Sequence, residues 1–313
     1  MNLLPVSRVH LLEDSSPEKR WLVQDLWSYE AVGIIGGEPK CGKSVLALSI
    51  AVAVASGKPC LGRFSVTSRG RVLLFAAEDP LNVVKTRVAA IALSYGVTLA
   101  ELDILVITRP ALRLDLDTDY ELLKNTVEAL SPQLLILDPF VRLHRIDENA
   151  SGEVAPLLSR LRHIQRTFHV SVIIVHHARK DSKHARQGQA LRGSSEFHAW
   201  GDSNLYLRRK LDDALSLTIE HRAERALPPL DLELTSNEFG PFHKIVTTHH
   251  ALPAKPSPEQ KIIELLTSAE SPLTCTRIRA ETKLRAQVVS NALNSLLSEG
   301  SALRSKHGYT LVR

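Results

Sequence analysis

The sequence contains few cysteines and no hydrophobic run long enough to cross a membrane. Its three cysteines, Cys41, Cys60 and Cys275, are widely separated. An odd number of scattered cysteines argues against a disulfide framework and favours a reducing compartment. The most apolar helical segment is cut off at Ser56-Gly57-Lys58-Pro59, before it reaches spanning length. We therefore expect a cytoplasmic protein with no membrane partner.

Signals for export, repeats and low-complexity tracts are also missing. The stretch from Met1 to Arg8 lacks the charged start and long apolar core of a signal peptide. The composition, 44% hydrophobic and 23% charged residues, is ordinary for a globular protein. A length of 313 residues allows one large core plus a small second unit. The formal net charge of +5 permits a nucleic-acid partner without requiring one.

What the chain does contain is a glycine-rich motif between an apolar run and a small-residue helical run. The motif matches G-x-x-x-x-G-K-[ST] and comprises Gly37, Glu38, Pro39, Lys40, Cys41, Gly42, Lys43 and Ser44. In a strand–turn–helix context, such glycines let backbone N–H groups point at an anion beside a helix N-terminus. The motif predicts an ATP site, with Lys43 on the β- and γ-phosphates and Ser44 on Mg²⁺.

Apolar strands alternate with helices after this motif. Strands are predicted at 71–77, 104–107, 133–138 and 170–175, with further antiparallel strands up to about residue 246. The pattern predicts an α/β fold with a mostly parallel sheet flanked by helices. Three of the strands end in Glu78, Asp138 and the pair His176-His177. Because ligands bind beyond the carboxyl ends of parallel strands, these residues and the motif should converge on one edge.

Each of these strand-end residues suggests a role in phosphate chemistry. Asp138, at the end of an apolar run, is the candidate ligand of Mg²⁺ through its water shell. Glu78 is the candidate base that orients water on the γ-phosphate, whereas Asp79 suits a helix cap. Of the two histidines, strand alternation directs only one to the site, and we favour His177 as a γ-phosphate sensor. The alternative for either histidine is a buried core group.

A basic loop follows the histidines. Its residues Lys180, Lys183 and Arg186 are candidates for contact with nucleic-acid phosphates, unless the loop is only a solvated surface segment. Arg192 is a candidate arginine finger that reaches a neighbouring subunit. Arg208 and Arg209 compete with Arg192 for that role, and the sequence does not separate the three.

Composition divides the chain into four segments. We predict an arm at 1–20, an ATPase domain at 21–250, a proline-rich linker at 251–258 and a winged-helix-like domain at 259–313. At the start of the ATPase domain, the stretch from Trp21 to Trp27 predicts a short amphipathic helix, with both tryptophans packed on the core.

The C-terminal segment shows three short helices followed by a hairpin, with an excess of bases. The candidates for nucleic-acid contact in this segment are Arg277, Arg279, Lys283, Arg285 and Lys306. A winged helix of this kind binds duplex DNA or docks a protein, and both alternatives stay open.

Several motifs occur together in an order that resembles RepA-type plasmid replicative helicases. They are Gly37 to Ser44, Ala77-Glu78-Asp79-Pro80, Leu137-Asp138, Asp147-Glu148-Asn149-Ala150-Ser151-Gly152, His176-His177-Ala178-Arg179-Lys180 and Arg192-Gly193-Ser194-Ser195. Those proteins are RecA-like ATPases that form hexameric rings around single-stranded DNA. The resemblance, over residues 20–245, implies a homo-oligomer with ATP at the subunit interface. It also implies that Glu78 is the catalytic base, His177 the sensor, Arg192 the finger from the neighbour and Arg87 an interface residue.

Two departures from that family pattern bear on function. Ala77 stands where some relatives have a second acid, and the segment from Glu259 onward is not part of the ring ATPase pattern. The leading hypothesis is a DNA-dependent ATPase, a replicative helicase of a plasmid or mobile element. The alternatives are a RecA-like recombination mediator or loader that does not unwind DNA, and a winged-helix DNA regulator with a nucleotide switch.

Overall fold

The computed structural model describes residues 8, 20–177, 196–210, 214–225, 227–246, 258–269, 271–282, 284, 286–298 and 300–311. The chain divides into two compact units, Met1–Val246 and Thr247–Arg313. Apart from Arg8, Arg20 and Pro258, the predicted N-terminal arm and linker lie outside the described residues. The four-segment division of the chain stays a prediction.

A nine-stranded sheet forms the centre of the first unit. After a small hairpin of β1 (Trp21–Val23) and β2 (Trp27–Ser28), the sheet strands are β3 (Val32–Gly37), β4 (Val72–Ala76), β5 (Ile104–Val106), β6 (Leu134–Asp138), β7 (Ser171–His177), β8 (Ser203–Arg209), β9 (Leu215–His221), β10 (Leu230–Asn237) and β11 (Gly240–Ile245). Their order across the sheet is β11-β10-β9-β8-β3-β7-β6-β4-β5. The strands from β5 to β8 in this order pair in parallel, and β9 to β11 continue as an antiparallel extension.

Helices cover the sheet on both faces. They are α1 (Lys43–Ser56), α2 (Leu81–Ser94), α3 (Asp117–Leu130), α4 (Ser151–Phe168) and the short α5 (Glu196–Trp200). One buried cluster joins α1 and α2 to the sheet, and a second joins α3 and α4 to the opposite face. The central strands are buried on both faces, which explains their continuous apolar sequence. The predicted α/β fold with a mostly parallel sheet flanked by helices is confirmed.

Helix α1 is enclosed on all sides. Every residue from Val45 to Ala55 is buried, because the helix packs against the sheet, α2 and the edge strand β11. This environment accounts for its uniformly small and apolar sequence, which shows no polar face. The helix that begins at the glycine-rich motif is therefore fixed in place by packing along its whole length.

The helix predicted between Trp21 and Trp27 is wrong. The structure has the short antiparallel hairpin of β1 and β2 there, with Trp21, Leu22 and Val23 all buried. Three consecutive buried residues suit a strand covered on both faces, and a seven-residue window is too short for periodicity to separate the two structures. The packing prediction for the tryptophans is confirmed, since Trp21 and Trp27 are both buried.

The second unit contains three helices followed by a hairpin, as the sequence predicts. They are α6 (Pro258–Thr267), α7 (Cys275–Thr282), α8 (Ala286–Ser298), β12 (Ala302–Ser305) and β13 (Gly308–Leu311). Its own small core includes Ile262, Ile278 and Leu293, each fully or almost fully buried. Throughout the described ranges, no helix of either unit combines the length and apolarity that crossing a bilayer requires.

The contact between β3 and β8 leaves no room for a side chain at Gly33. A Cβ atom there would overlap the carbonyl oxygen of Ser203 and meet the Trp27 ring at 3.0 Å. We expect Gly33→Ala to lower the free energy of unfolding by about 2 kcal/mol, as overpacking does. Gly152→Ala is the control, because Gly152 is exposed in the first turn of α4 with open space around it. Chemical denaturation followed by tryptophan fluorescence checks this, and equal stability of the two variants would contradict it.

Candidate nucleotide-binding site

The turn between β3 and α1 has the geometry of a phosphate loop. Gly42, the N-cap of α1, adopts a left-handed conformation with φ 84°, and Lys40 is also left-handed with φ 62°. Lys43 is 4% exposed, and its ammonium donates a hydrogen bond to the Glu38 carbonyl oxygen at 2.7 Å. Burial lowers the pKa of Lys43, although Asp138, Glu38 and Glu78 act in the opposite direction. The loop therefore holds its lysine inside the turn, against the Glu38 carbonyl oxygen.

A cleft of about 390 Å³ lies beside this loop, within the size range of small-molecule sites. It is lined by Pro39, Lys40, Gly42, Lys43, Ser44, Val45, Glu78, Asp79, Arg87, Asp138, Val175, His177, Leu234 and Pro241. The structure thus brings the phosphate loop together with the polar ends of β4, β6 and β7. Strand register explains this convergence: Ala76 of β4 pairs with Asp138, and Gly37 pairs with His177 in β7.

Asp138 and Ser44 form the candidate metal position. Burial raises the pKa of the Asp138 carboxyl to about 6, while a hydrogen bond with the Ser44 side chain opposes the shift. These are hard oxygen donors, and Mg²⁺ is typically bound by one or two such protein groups together with phosphates and water. The two side chains fit that role. No part of the described chain, this site included, brings three or more histidine, cysteine or acidic side chains together in a group that could hold a metal ion.

Two ion pairs involve the acids that follow β4. Arg142 donates from Nε to Glu78 Oε1 at 3.0 Å, and Arg87 of α2 pairs with Asp79. Both acids and Arg87 line the cleft. The suggested helix cap at Asp79 is wrong, because the N-cap of α2 is Pro80 and no side chain caps this helix. Asp79 instead holds Arg87 at the cleft.

The two histidines of β7 occupy different environments. His177 lines the cleft, whereas His176 is 1% exposed and stacks on Phe197 with ring centroids 4.2 Å apart. Phe140 meets the His176 ring edge-on at 6.1 Å. Strand alternation thus places one histidine at the site and the other in the core.

Of the arginines considered as fingers, Arg209 contacts the phosphate loop of its own chain. Its Nη2 donates to the Lys40 carbonyl oxygen at 3.0 Å, which supports the left-handed turn at Lys40. Arg208 lies beside it on β8, half-buried. Arg192 lies outside the described residues, as do the loop bases Lys180, Lys183 and Arg186.

In the second unit, Arg277 and Arg279 are exposed on α7, and Lys306 is exposed in the turn of the β12–β13 hairpin. The remaining two predicted contacts of this unit, Lys283 and Arg285, lie outside the described residues. Exposure leaves the three described bases accessible to an anionic partner, and their role stays a prediction.

Sequence reasoning missed three residues around the cleft. Arg142 lies in the turn after β6, where no motif marks it as a partner of Glu78. Leu234 and Pro241 come from the antiparallel extension, some 200 residues after the motif. A period-two strand pattern gives Leu234 the appearance of an ordinary core residue. Within the loop itself, Cys41 is buried, and that burial raises the pKa of its thiol, which therefore stays protonated.

The Asp138 carboxyl makes stability depend on pH. Its folded-state pKa, about 6, lies above the ordinary value of 3.8, so the folded state binds the proton more tightly. Relative to a variant without this carboxyl, the wild type should therefore lose stability as pH rises through this interval, by on the order of 1 kcal/mol between pH 5 and pH 7.5. The buried His243, whose pKa is lowered to about 4, shifts stability in the opposite direction and does so in both proteins. Asp138→Asn lacks this titration and is the control.

Denaturant unfolding of both proteins without Mg²⁺ measures the effect as a difference between them. A wild type that gains stability relative to Asp138→Asn over this pH range would contradict the inferred burial of the carboxylate.

Comparison with known proteins relates this arrangement to a family. Among solved structures, the chain is similar to one described as an ATPase domain, with 16% identity and a TM-score of 0.49 over 66% of this chain and 81% of that one. It is also similar to the RadB recombinase, with 18% identity and a TM-score of 0.49 over 68% and 90%. Neither likeness is close enough to carry information on function. Residues 2–183 match the profile described as "AAA domain", more than half of the chain, and the protein therefore belongs to the AAA domain family.

Proposed function

We propose that the protein is an oligomeric, DNA-dependent ATPase that acts as a replicative helicase of a plasmid or other mobile element. The observation that carries the ATPase part is the cleft in which Lys43, Ser44, Asp138 and Glu78 meet. Membership of the AAA domain family supports the same conclusion. The helicase part draws on the order of sequence motifs that resembles RepA-type proteins, with hydrolysis at subunit interfaces.

In this proposal each polar residue of the cleft has a role that follows from its charge or polarity. The phosphate-loop amides and Lys43 hold the phosphates, and Ser44 and Asp138 hold Mg²⁺. The metal ion, when bound, neutralises charge that develops on the phosphate oxygens. Glu78 orients a water molecule and accepts its proton, while Arg142 donates a hydrogen bond to Oε1 of the same carboxylate. His177, which lines the cleft at the end of β7, is the proposed sensor of the γ-phosphate.

The DNA part of the proposal rests on charge. Arg277, Arg279 and Lys306 give the second unit exposed bases, and the chain as a whole carries a formal charge of +5. In the proposal, the ATPase domain moves along single-stranded DNA, and the winged-helix-like unit binds duplex DNA or a protein. A hexameric ring, with Arg192 and Arg87 acting at the interface, is the assembly that the motif order favours.

The exposed bases of the second unit favour one alternative, a DNA-binding regulator in which the ATPase domain is a switch. The two proposals differ in whether ATP hydrolysis is coupled to the separation of DNA strands. A helicase separates strands, whereas a regulator or a recombination mediator hydrolyses ATP without displacing one.

Lys43→Ala removes the buried ammonium of the phosphate loop. We expect ATP hydrolysis to fall by about 100-fold or more, because a preorganised charge at the phosphates is lost. Strand displacement should disappear with it. Lys124→Ala is the matched control, since Lys124 lies in a surface ion pair with Glu121 on α3. Steady-state ATPase assays with and without single-stranded DNA provide the measurement. Persistent hydrolysis in Lys43→Ala would refute the site assignment, and hydrolysis without strand displacement in the wild type would refute the helicase.

Arg277→Ala combined with Arg279→Ala tests the second unit. We expect weaker DNA binding and a shallower dependence of affinity on salt, because two phosphate contacts are lost. ATP hydrolysis without DNA should stay unchanged. The control is Lys124→Ala combined with Arg166→Ala, which removes the same charge from the first unit. Fluorescence anisotropy over a salt series measures the effect, and an unchanged salt slope would exclude these arginines from the DNA interface.

A further inference from the structure

The hairpin of β10 and β11 packs over the helices that follow the phosphate loop. Strand β11 contacts both α1 and α2. Asn237, the last residue of β10, donates from Nδ2 to the Ala90 carbonyl oxygen of α2 at 2.7 Å. Its Oδ1 accepts a hydrogen bond from the backbone N–H of Phe239 at 3.0 Å. The hairpin turn is thus tied to α2, which fixes the hairpin beside the cleft.

One side of this hairpin meets the phosphate loop. Leu234 and His243 are cross-strand partners, and a Cβ atom on Gly42 would lie 2.6 Å from His243 Nε2 and 3.6 Å from Leu234 Cδ1. Pro241 precedes His243 by two residues and shares its side of the strand. Leu234 and Pro241 line the cleft together with the loop. We call these three residues, Leu234, Pro241 and His243, the hairpin face.

The hairpin face differs chemically from the rest of the cleft. Leu234 is a large aliphatic side chain left 41% exposed, whereas the His243 ring is only 3% exposed. Neither nitrogen of that ring has a hydrogen-bond partner within the described ranges, and burial lowers the pKa of His243 to about 4. The ring is neutral at neutral pH and contributes volume rather than charge. The hairpin face is therefore uncharged, and the phosphate side carries Lys43, Asp138 and Glu78.

We propose that the hairpin face is the nucleoside subsite of the cleft, with Leu234 and Pro241 in contact with the base. This proposal rests on the proposed ATPase function and assigns the second half of the same ligand. An aliphatic surface packs against a flat base through apolar burial, and a purine buries more area than a pyrimidine. The contact therefore favours a purine nucleotide over a pyrimidine nucleotide. His243 is a positioning residue, because its ring fills the space between β11 and Gly42 and sets the distance between hairpin and loop.

Calorimetric titration of the full chain with ADP and with pyrophosphate, both with Mg²⁺, separates the two halves of the cleft. Pyrophosphate reports on the phosphate loop alone, whereas ADP also reports on the base contact. We expect Leu234→Ser to weaken ADP binding by about tenfold and to leave pyrophosphate binding within about twofold of wild type. Leu122→Ser is the control, because Leu122 is comparably exposed, at 51%, on α3, which contributes no described residue to the cleft.

The positioning role of His243 is tested with two further variants. His243→Phe keeps a planar aromatic ring beside Gly42 and should bind ADP within about twofold of wild type. His243→Ala removes the ring and should weaken ADP binding about fivefold or more, with less effect on pyrophosphate. Thermal melts of each variant confirm folding. If His243→Ala does not fold, Leu234→Ser still tests the subsite, because Leu234 is exposed and its substitution should not unfold the protein.

The subsite would be overturned if Leu234→Ser bound ADP like the wild type, or if it bound ADP and pyrophosphate with equal weakening. A wild type that binds pyrophosphate and ADP equally would overturn it as well. A wild type that binds neither ligand would instead overturn the proposed ATPase function, so the two failures can be told apart.

Discussion

The left-handed turn at Gly42 sets the geometry of the whole site. It joins the end of β3 to the first turn of α1, and the helix behind it is packed on every side. A side chain at this position would collide with His243, so both the φ of 84° and the space require glycine. With the turn fixed, Lys43 stays buried inside the loop, and the ends of the neighbouring strands meet the loop at the cleft.

Parallel register brings the acids to the same place. The carboxyl ends of β4 and β6 are aligned through the pair Ala76 and Asp138, and β7 lies between β6 and β3. The location has an energetic cost, because burial raises the pKa of Asp138 to about 6. A divalent cation beside Ser44 would offset that cost by favouring the carboxylate. Burial of the Asp138 carboxylate thus lowers the stability of the protein without metal. It also increases the stabilisation that a metal–nucleotide complex would provide.

The antiparallel extension of the sheet gives the cleft its uncharged wall. Because β11 turns back over α1 and α2, residues late in the sequence meet the first helix of the domain. Asn237 holds this arrangement by a hydrogen bond to the Ala90 carbonyl oxygen, and His243 does so by filling the space beside Gly42. Arg209 adds a hydrogen bond from β8 to the Lys40 carbonyl oxygen. The phosphate loop is therefore supported from the carboxyl-terminal half of the domain as well as by its own helix.

Short-range patterns in the chain were enough to predict the local features: the motif from Gly37 to Ser44, the buried strands, and the alternation that separates His177 from His176. Glycine placement, apolarity and strand period carry this information. Each of these signals lies within a single short segment of the sequence. Long-range packing instead selected Arg142 as the partner of Glu78 and Leu234 as a wall of the cleft. It also replaced the helix predicted at Trp21 with a strand. Such contacts join segments far apart in the chain, and their partners are selected by packing and strand order, which leave no periodic signal in a single sequence.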